Sequence, residues 1–243
     1  VTKGEMYTKE IFKRILEEGT WDVNPRPRYK DGTKAHTLSV NHGMCTYDIT
    51  KGENPLITLR PIVIKSSIGE LLWIYQDESN DLDLLKENPD GRRHIINMWQ
   101  EEEFSQKHGL KPCAFMTQWN VRHGSDGVDY LDMCLTQRSS DFATAGCINQ
   151  LQYLVFLLLV CRHTGYTPGR FTWFYNNIQI YDRHITQVKE MLNRESINCQ
   201  PKIVLNPDKK NFYDFTPDDV KIEGYPRALV KEKNPQLKLE IAI

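Results

Sequence analysis

A chain of 243 residues can bury a substantial core as one large domain or two small ones, and no linker suggests a division. With 40% hydrophobic and 26% charged residues, and no Gly/Ser tract, Pro-rich run or fixed-period repeat, the composition excludes a disordered chain and a solenoid. A net charge of -1 gives no general attraction to nucleic acid or anionic membrane, so any recognition of phosphate must come from local arginines.

In chain order, residues 5 to 18 place Met6, Ile11, Ile15 and Leu16 on one helical stripe, and Gly19 is expected to end the helix in a left-handed conformation. A turn-rich basic stretch carrying Arg26 and Arg28 leads to a strand at 36 to 48, and Pro55 and Pro61 bracket an extended segment. From Ile62 to Tyr75 the pattern is helical and apolar almost all round, which predicts burial, with Glu70 in that apolar setting. Runs at 93 to 99, 113 to 121, 130 to 139 and 170 to 181 read as strands of one sheet, the second and third joined by a hairpin through RHGSDG. A core helix from about 147 to 164 closes at Gly165; a helix at 184 to 194 and strands near 202 to 206, 219 to 224 and 236 to 242 follow. The sum is an α+β fold with one central mixed, mostly antiparallel sheet, helices on one face and the other face free to pair as a dimer interface.

The apolar run from Tyr153 to Cys161 is less than half of the roughly 20 residues a membrane-spanning helix needs. No secretory signal opens the sequence, and the six cysteines show neither a C-x-x-C pair nor His/Cys ligand spacing. The expectation is a cytoplasmic protein with reduced thiols, no metal, no DNA partner and no membrane partner.

Cys113 stands beside a strand, in GLKPCAF. A thiol there is either a small buried hydrophobe or a nucleophile, and the second role needs cations nearby, for which Arg138 and the Arg92-Arg93 pair are candidates. Arginine forks suit phosphate, so Arg26, Arg92, Arg93 and Arg138 are either anion ligands or solvated surface charges. Asn149 opens the core helix, either as an N-cap or as a reader of a pyrimidine edge through its paired donor and acceptor. Asp141 is a turn residue or a ligand, and Glu70 either faces water or is a desolvated carboxyl able to move protons.

Taken jointly these residues resemble the thymidylate synthase family over nearly the whole chain. The carrying motifs are Arg26, PLITLRP with Arg60, GELLWIYQDESN with Glu70, DGRRHI, LKPCAF, QRSSD from Gln137 to Asp141, Asn149, IYDRH, VLNPDKKNFYDFTPDDVKIEGY and the terminal EIAI. The resemblance implies a single-domain homodimeric enzyme (residues 1–243) converting dUMP and 5,10-methylenetetrahydrofolate to dTMP and dihydrofolate. By position it implies that Cys113 attacks C6 of uracil, that Asn149 holds N3 and O4, and that Glu70 assists proton transfer through water. Arg26, Arg138 and Ser139 would grip the phosphate, with Arg92 and Arg93 donated by the partner. Gln137 and Asp141 belong to the nucleotide-binding set, Gln179 and Tyr181 would contact the ribose, and Arg60, Asp141 again, Ala145 and Ala242 would meet the folate.

Three departures accompany the resemblance. Ala114 follows the cysteine where His is usual, and Gln179 stands where a ribose-binding His is usual. A family segment expected between Leu85 and Lys86, which brings tryptophans and a proton-assisting tyrosine, has no counterpart in the sequence. Either the chain is a shortened paralogue or the sequence omits a loop, and the retained residues around the gap favour the latter. A dUMP or dCMP hydroxymethylase and an inactive nucleotide-binding paralogue are the competing readings.

Overall fold

The computed structural model describes residues 1–76, 82–99 and 111–242. Its centre is a pair of long strands rich in aromatic and β-branched residues, β2 (Thr37–Asp48) and β6 (Thr167–Tyr181), which run antiparallel from the Thr37/Tyr181 pair to the Asp48/Arg170 pair. Strand β5 (Asp129–Asp141) lies parallel to β6, and a hairpin joins it to the antiparallel β4 (Ala114–His123). Short edge strands β1 (Thr20–Trp21) and β3 (Ile95–Asn97) complete the order β1-β2-β6-β5-β4-β3. Parallel neighbours cannot be joined by a tight turn. The crossover between β5 and β6 is α4 (Gly146–Thr164), and it puts the ends of both strands beside the start of that helix.

Helix α4 is apolar on nearly every side because it is covered on every side. Residues from Gly146 to Cys161 are buried almost without a break, between the sheet and α2 (Lys65–Gln76). Its start is fixed by Phe142, whose ring meets Phe12 at 5.1 Å and stacks near Trp173 at 6.1 Å. A side chain at Gly146 would put a Cβ 2.0 Å from that ring, so only glycine lets strand end and helix start approach this closely. Gly165 closes the helix at φ 87°, donating its N–H to Cys161 O, as the sequence leads one to expect.

The remaining elements are α1 (Lys3–Glu18) against β2, a short α3 (Leu84–Glu87), α5 (Ile185–Asn193), the two-stranded β7 (Lys202–Leu205) and β8 (Val220–Glu223), and α6 (Arg227–Lys233). Glu5 is buried in the α1 capping box, and its second oxygen accepts from the Thr58 amide, which anchors the 54–60 segment.

Several expectations need correction. Gly19 is extended, not left-handed, at φ −65°. Met6 is exposed, because the buried stripe of α1 runs through Gly4, Glu5, Thr8, Ile11, Phe12 and Ile15. Helix α2 is not buried all round: Ser67, Ile68, Leu71, Leu72 and Tyr75 face the core, while Trp73 is 70% exposed. Residues 236 to 242 form no strand; they lie across the molecule as a tail bonded by side chains, and the α6 turn before them was not foreseen.

The helices cover one face of the sheet. On the other, paired positions line up in rows across the strands: Thr46, Thr172, Cys134, Gln118 and Ile95 in one, Met44, Phe174, Thr136 and Met116 in the next. Met44, Phe174 and Ile95 are exposed there. Among the described residues no helix is long and apolar enough to cross a membrane.

Gly165→Ala tests the helix end. Nothing lies within 4 Å of the added carbon, so only backbone strain changes. A loss of about 1 to 2 kcal/mol is expected by urea denaturation, and an unchanged midpoint would show that the left-handed residue is not needed.

Candidate active site

Asn149 sits in the first turn of α4 but does not cap it; Ala145 holds the cap position without a side-chain bond. The Asn149 amide belongs instead to a relay of side chains with a fixed polarity. Trp173 Nε1, which can only donate, meets Gln137 Oε1 at 2.9 Å. Gln137 Nε2 then donates to Asn149 Oδ1 at 3.2 Å and to Ser139 O at 3.0 Å. Asn149 Nδ2 donates to Gln152 Oε1 at 3.1 Å, and Gln152 Nε2 donates to Ser67 O at 2.7 Å and Glu70 Oε2 at 3.0 Å. An indole N–H at one end and a main-chain carbonyl at the other leave each amide one orientation. Trp173, Gln137 and Gln152 are buried, while Asn149 is half-buried and keeps a spare hydrogen and a spare lone pair.

Cys113 lies at the mouth of β4 and is exposed, which removes the reading of a buried small hydrophobe. The next strand holds it: Arg138 N donates to Cys113 O at 2.8 Å. The Arg138 guanidinium folds back onto the same loop, giving Nε to Pro112 O and Nη2 to Lys111 O, each at 3.0 Å, and lies 5.6 Å from the Trp99 ring. The cation therefore shapes the loop that leads to the thiol.

Tyr181, at the end of β6, marks where the other groups converge. Burial pushes its phenol above the ordinary value; the Asp141 carboxylate adds to this, Arg26 opposes it, and Asp22 and Cys113 contribute in turn. Arg26 is exposed and its side chain makes no hydrogen bond or ion pair with a described residue. Ser139 and Gln179 pair across the parallel strands at 3.3 Å. Asp141 at the end of β5 is largely withdrawn from water, which raises its carboxyl above the usual range against the bond that Thr144 Oγ1 donates to Oδ2 at 2.5 Å. Its Oδ1 has no hydrogen-bond partner among the described residues. Ala145 follows on the same turn, and Ala242 packs on Tyr29, Ala35 and Tyr181.

Four expected residues fall differently. Arg60 is 4% exposed, with Nη2 donating to Thr144 O at 2.7 Å, so the guanidinium braces the 141–146 turn from inside. Glu70 is exposed rather than desolvated, because α2 turns its buried face elsewhere. Arg92 and Arg93 line a 410 Å³ recess with Leu84, Asn88, Gly91 and His94. The register that pairs Ile95 with Gln118 places them toward the far end of β4 from Cys113. At about 3.3 Å per residue that is roughly 20 Å along the strand.

Gln152, Trp173, Arg183, His184 and Glu240 were not singled out from sequence. Gln152 carried a signal, standing three residues after Asn149 and so on its helix face; the others depend on tertiary placement. All six cysteines are free, and no cluster of metal-ligating side chains occurs among the described residues.

Comparison with known proteins matches this architecture. The thymidylate synthase family model covers residues 6–85 and 80–243. Curated thymidylate synthases from Streptococcus thermophilus and Streptococcus gordonii are 37% and 39% identical over the full length of both chains. Thermostable thymidylate synthase A from Bacillus subtilis superposes with a TM-score of 0.86 over 99% of each chain, at 28% identity. The chain belongs to the thymidylate synthase family. The Streptococcus alignments run over 292 and 285 positions against 243 residues here, so at least 49 and 42 positions of those alignments have no counterpart in this chain.

Trp173→Phe removes the donor that sets the relay's polarity and leaves Gln137 Oε1 buried without it. A loss of about 1 to 3 kcal/mol in urea denaturation is expected; wild-type stability would show that the indole N–H anchors nothing.

Proposed function

We propose that the 243 residues act as one catalytic domain that methylates dUMP to dTMP, with 5,10-methylenetetrahydrofolate as donor of the carbon and the hydride. The observation that carries this is the pairing of an exposed thiol with an amide of fixed orientation. Uracil presents an N3–H donor beside an O4 acceptor; the spare lone pair on Asn149 Oδ1 and spare hydrogen on Nδ2 complement that edge. Cytosine presents the reverse pair, and the relay resists the flip that would accommodate it.

In this reading Cys113 Sγ forms a bond to C6 and the C5=C6 electrons move toward O4, where Asn149 Nδ2 stabilises the developing charge. C5 is thereby made nucleophilic toward the one-carbon unit. Glu70, joined to Asn149 only through Gln152, has one carboxylate oxygen in the relay and an exposed position from which to exchange protons with water near O4. Loss of the C5 proton and cleavage of the methylene's bond to the folate nitrogen leave an exocyclic methylene at C5; hydride from the tetrahydrofolate then completes the methyl group as the Cys113–C6 bond breaks, giving dTMP and dihydrofolate.

Binding divides among the strand ends. Arg26, Arg138 and Ser139 hold the phosphate, and Tyr181 with Gln179 meets the ribose. Arg92 and Arg93 face away from their own Cys113 and serve a second copy, which docks on the uncovered sheet face bearing Met44 and Phe174. The Asp141 carboxylate at the end of β5 offers an acceptor to the folate's ring donors, with Ala145 and Ala242 forming apolar walls. Arg60 acts on this pocket from behind, through Thr144. Six unpaired cysteines suit a reducing, cytoplasmic setting.

The test is incubation with dUMP and methylenetetrahydrofolate, following dihydrofolate absorbance and the mass of the nucleotide product. Dihydrofolate with dTMP is expected. Hydroxymethyl-dUMP without dihydrofolate, or no product, overturns the reading. Cys113→Ser should abolish turnover while leaving dUMP binding intact, and retained turnover rules out that nucleophile. Arg138→Ala should weaken dUMP binding by roughly 1.5 to 3 kcal/mol, the worth of a charge-assisted bond; unchanged affinity would remove it from the phosphate grip.

A further inference from the structure

His184 ends the single turn between β6 and α5 and, among the described residues, is the only buried histidine, at 0% exposure. Its Nε2 lies 2.7 Å from Glu240 O. A carbonyl only accepts, so that nitrogen carries a proton. Nδ1 faces Asp141, 4.0 Å from Oδ1, and neither atom has a hydrogen-bond partner among the described residues. Asp141 Oδ2 is already taken by Thr144. A buried carboxylate oxygen opposite a bare imidazole nitrogen is an arrangement of two acceptors, each bearing the cost of an unmade bond. One additional proton turns that cost into a charge-assisted bond once the gap closes by about 1 Å.

The surrounding charges are engaged elsewhere. Arg183 holds the Glu240 carboxylate through Nη1 at 3.0 and 3.2 Å and Asp31 through Nη2 at 2.8 Å, while its guanidinium lies 3.9 Å from the Tyr29 ring. Asp182 accepts from Tyr29, and the Tyr181 ring meets His184 edge-on at 5.6 Å. Gln187 Nε2 donates to Lys238 O at 3.2 Å, so residues 183 to 187 hold the tail at three points. His184 alone among them also faces the site.

We infer that His184 is a positioning residue: it shares one additional proton with Asp141, and through its grip on the Glu240 carbonyl that proton couples the orientation of the folate-facing carboxylate to the seating of the C-terminal tail. The inference rests on Asp141 being the folate contact proposed above. Burial favours it, since Asp141 is held above the usual carboxylate range and so retains a proton more readily. As pH rises through the raised range of the Asp141 carboxyl, its proton leaves, two bare acceptors remain, and folate binding weakens.

Nitrogen-15 histidine NMR on the full chain tests this without turnover, with the His184 signals assigned by their loss in His184→Gln. Nε2 should carry a proton, and the Nδ1 resonance should shift in Asp141→Asn. An Nδ1 resonance indifferent to Asp141→Asn overturns the inference, even if His184→Gln fails to fold and assignment must come from selective labelling. In kinetics, His184→Gln should raise the folate KM by about tenfold or more, the cost of losing a charge-assisted bond. It should leave the dUMP KM unchanged and flatten the pH dependence of the folate KM. Equal changes in both KM values, or a retained pH dependence, indicate a merely structural role and overturn it. Absence of dTMP from the wild type would instead refute the function while leaving the NMR coupling standing.

Discussion

An amide can turn end for end at almost no cost in volume, so a site that reads a pyrimidine with one must remove that freedom. Here it is removed at the two ends of a chain of side chains. Trp173 supplies a group that only donates and Ser67 a carbonyl that only accepts, and the three amides between them have a single consistent direction. The relay crosses β6, β5, α4 and α2, so the orientation of Asn149 is a property of the folded core and not of its own helix turn. In a low-dielectric interior each bond of such a chain strengthens the next, and a broken one leaves an unmade bond that costs more than the bond contributed.

The sheet decides what can meet that amide. Because β5 and β6 are parallel and joined by α4, their ends deliver Ser139, Asp141, Gln179 and Tyr181 to the same side as the helix start. The antiparallel β4 returns Cys113 to that edge through its bond with Arg138. The same register carries Arg92 and Arg93 away from that edge. The tail adds the last wall, fixed by Arg183, His184 and Gln187 through polar contacts and not by a strand ladder.

Much of this was legible in the sequence. The two long strands, the apolar core helix and its closing Gly165 follow from periodicity, and the motif order pointed to the family. What failed did so where packing overrode local pattern. The apolar run of α2 gave no hint that Trp73 faces out, since hydropathy does not say which side a neighbour covers. Residues 236 to 242 alternate enough to resemble a strand, yet find no edge to pair with. Arg60 was expected to meet the folate, but the fold buries it against Thr144. His184 was visible only as a letter in IYDRH, because its partners lie 43 and 56 residues away in sequence.

The account stands on the fixed direction of the Asn149 amide, and calorimetric comparison of dUMP and dCMP binding to the intact protein tests it most directly. Both nucleotides share the phosphate and ribose contacts, so the difference isolates the base edge. A preference for dUMP of at least about tenfold is expected, corresponding to one satisfied against one mismatched hydrogen-bonding edge. Equal affinities would mean that the amide turns freely, and would contradict the account.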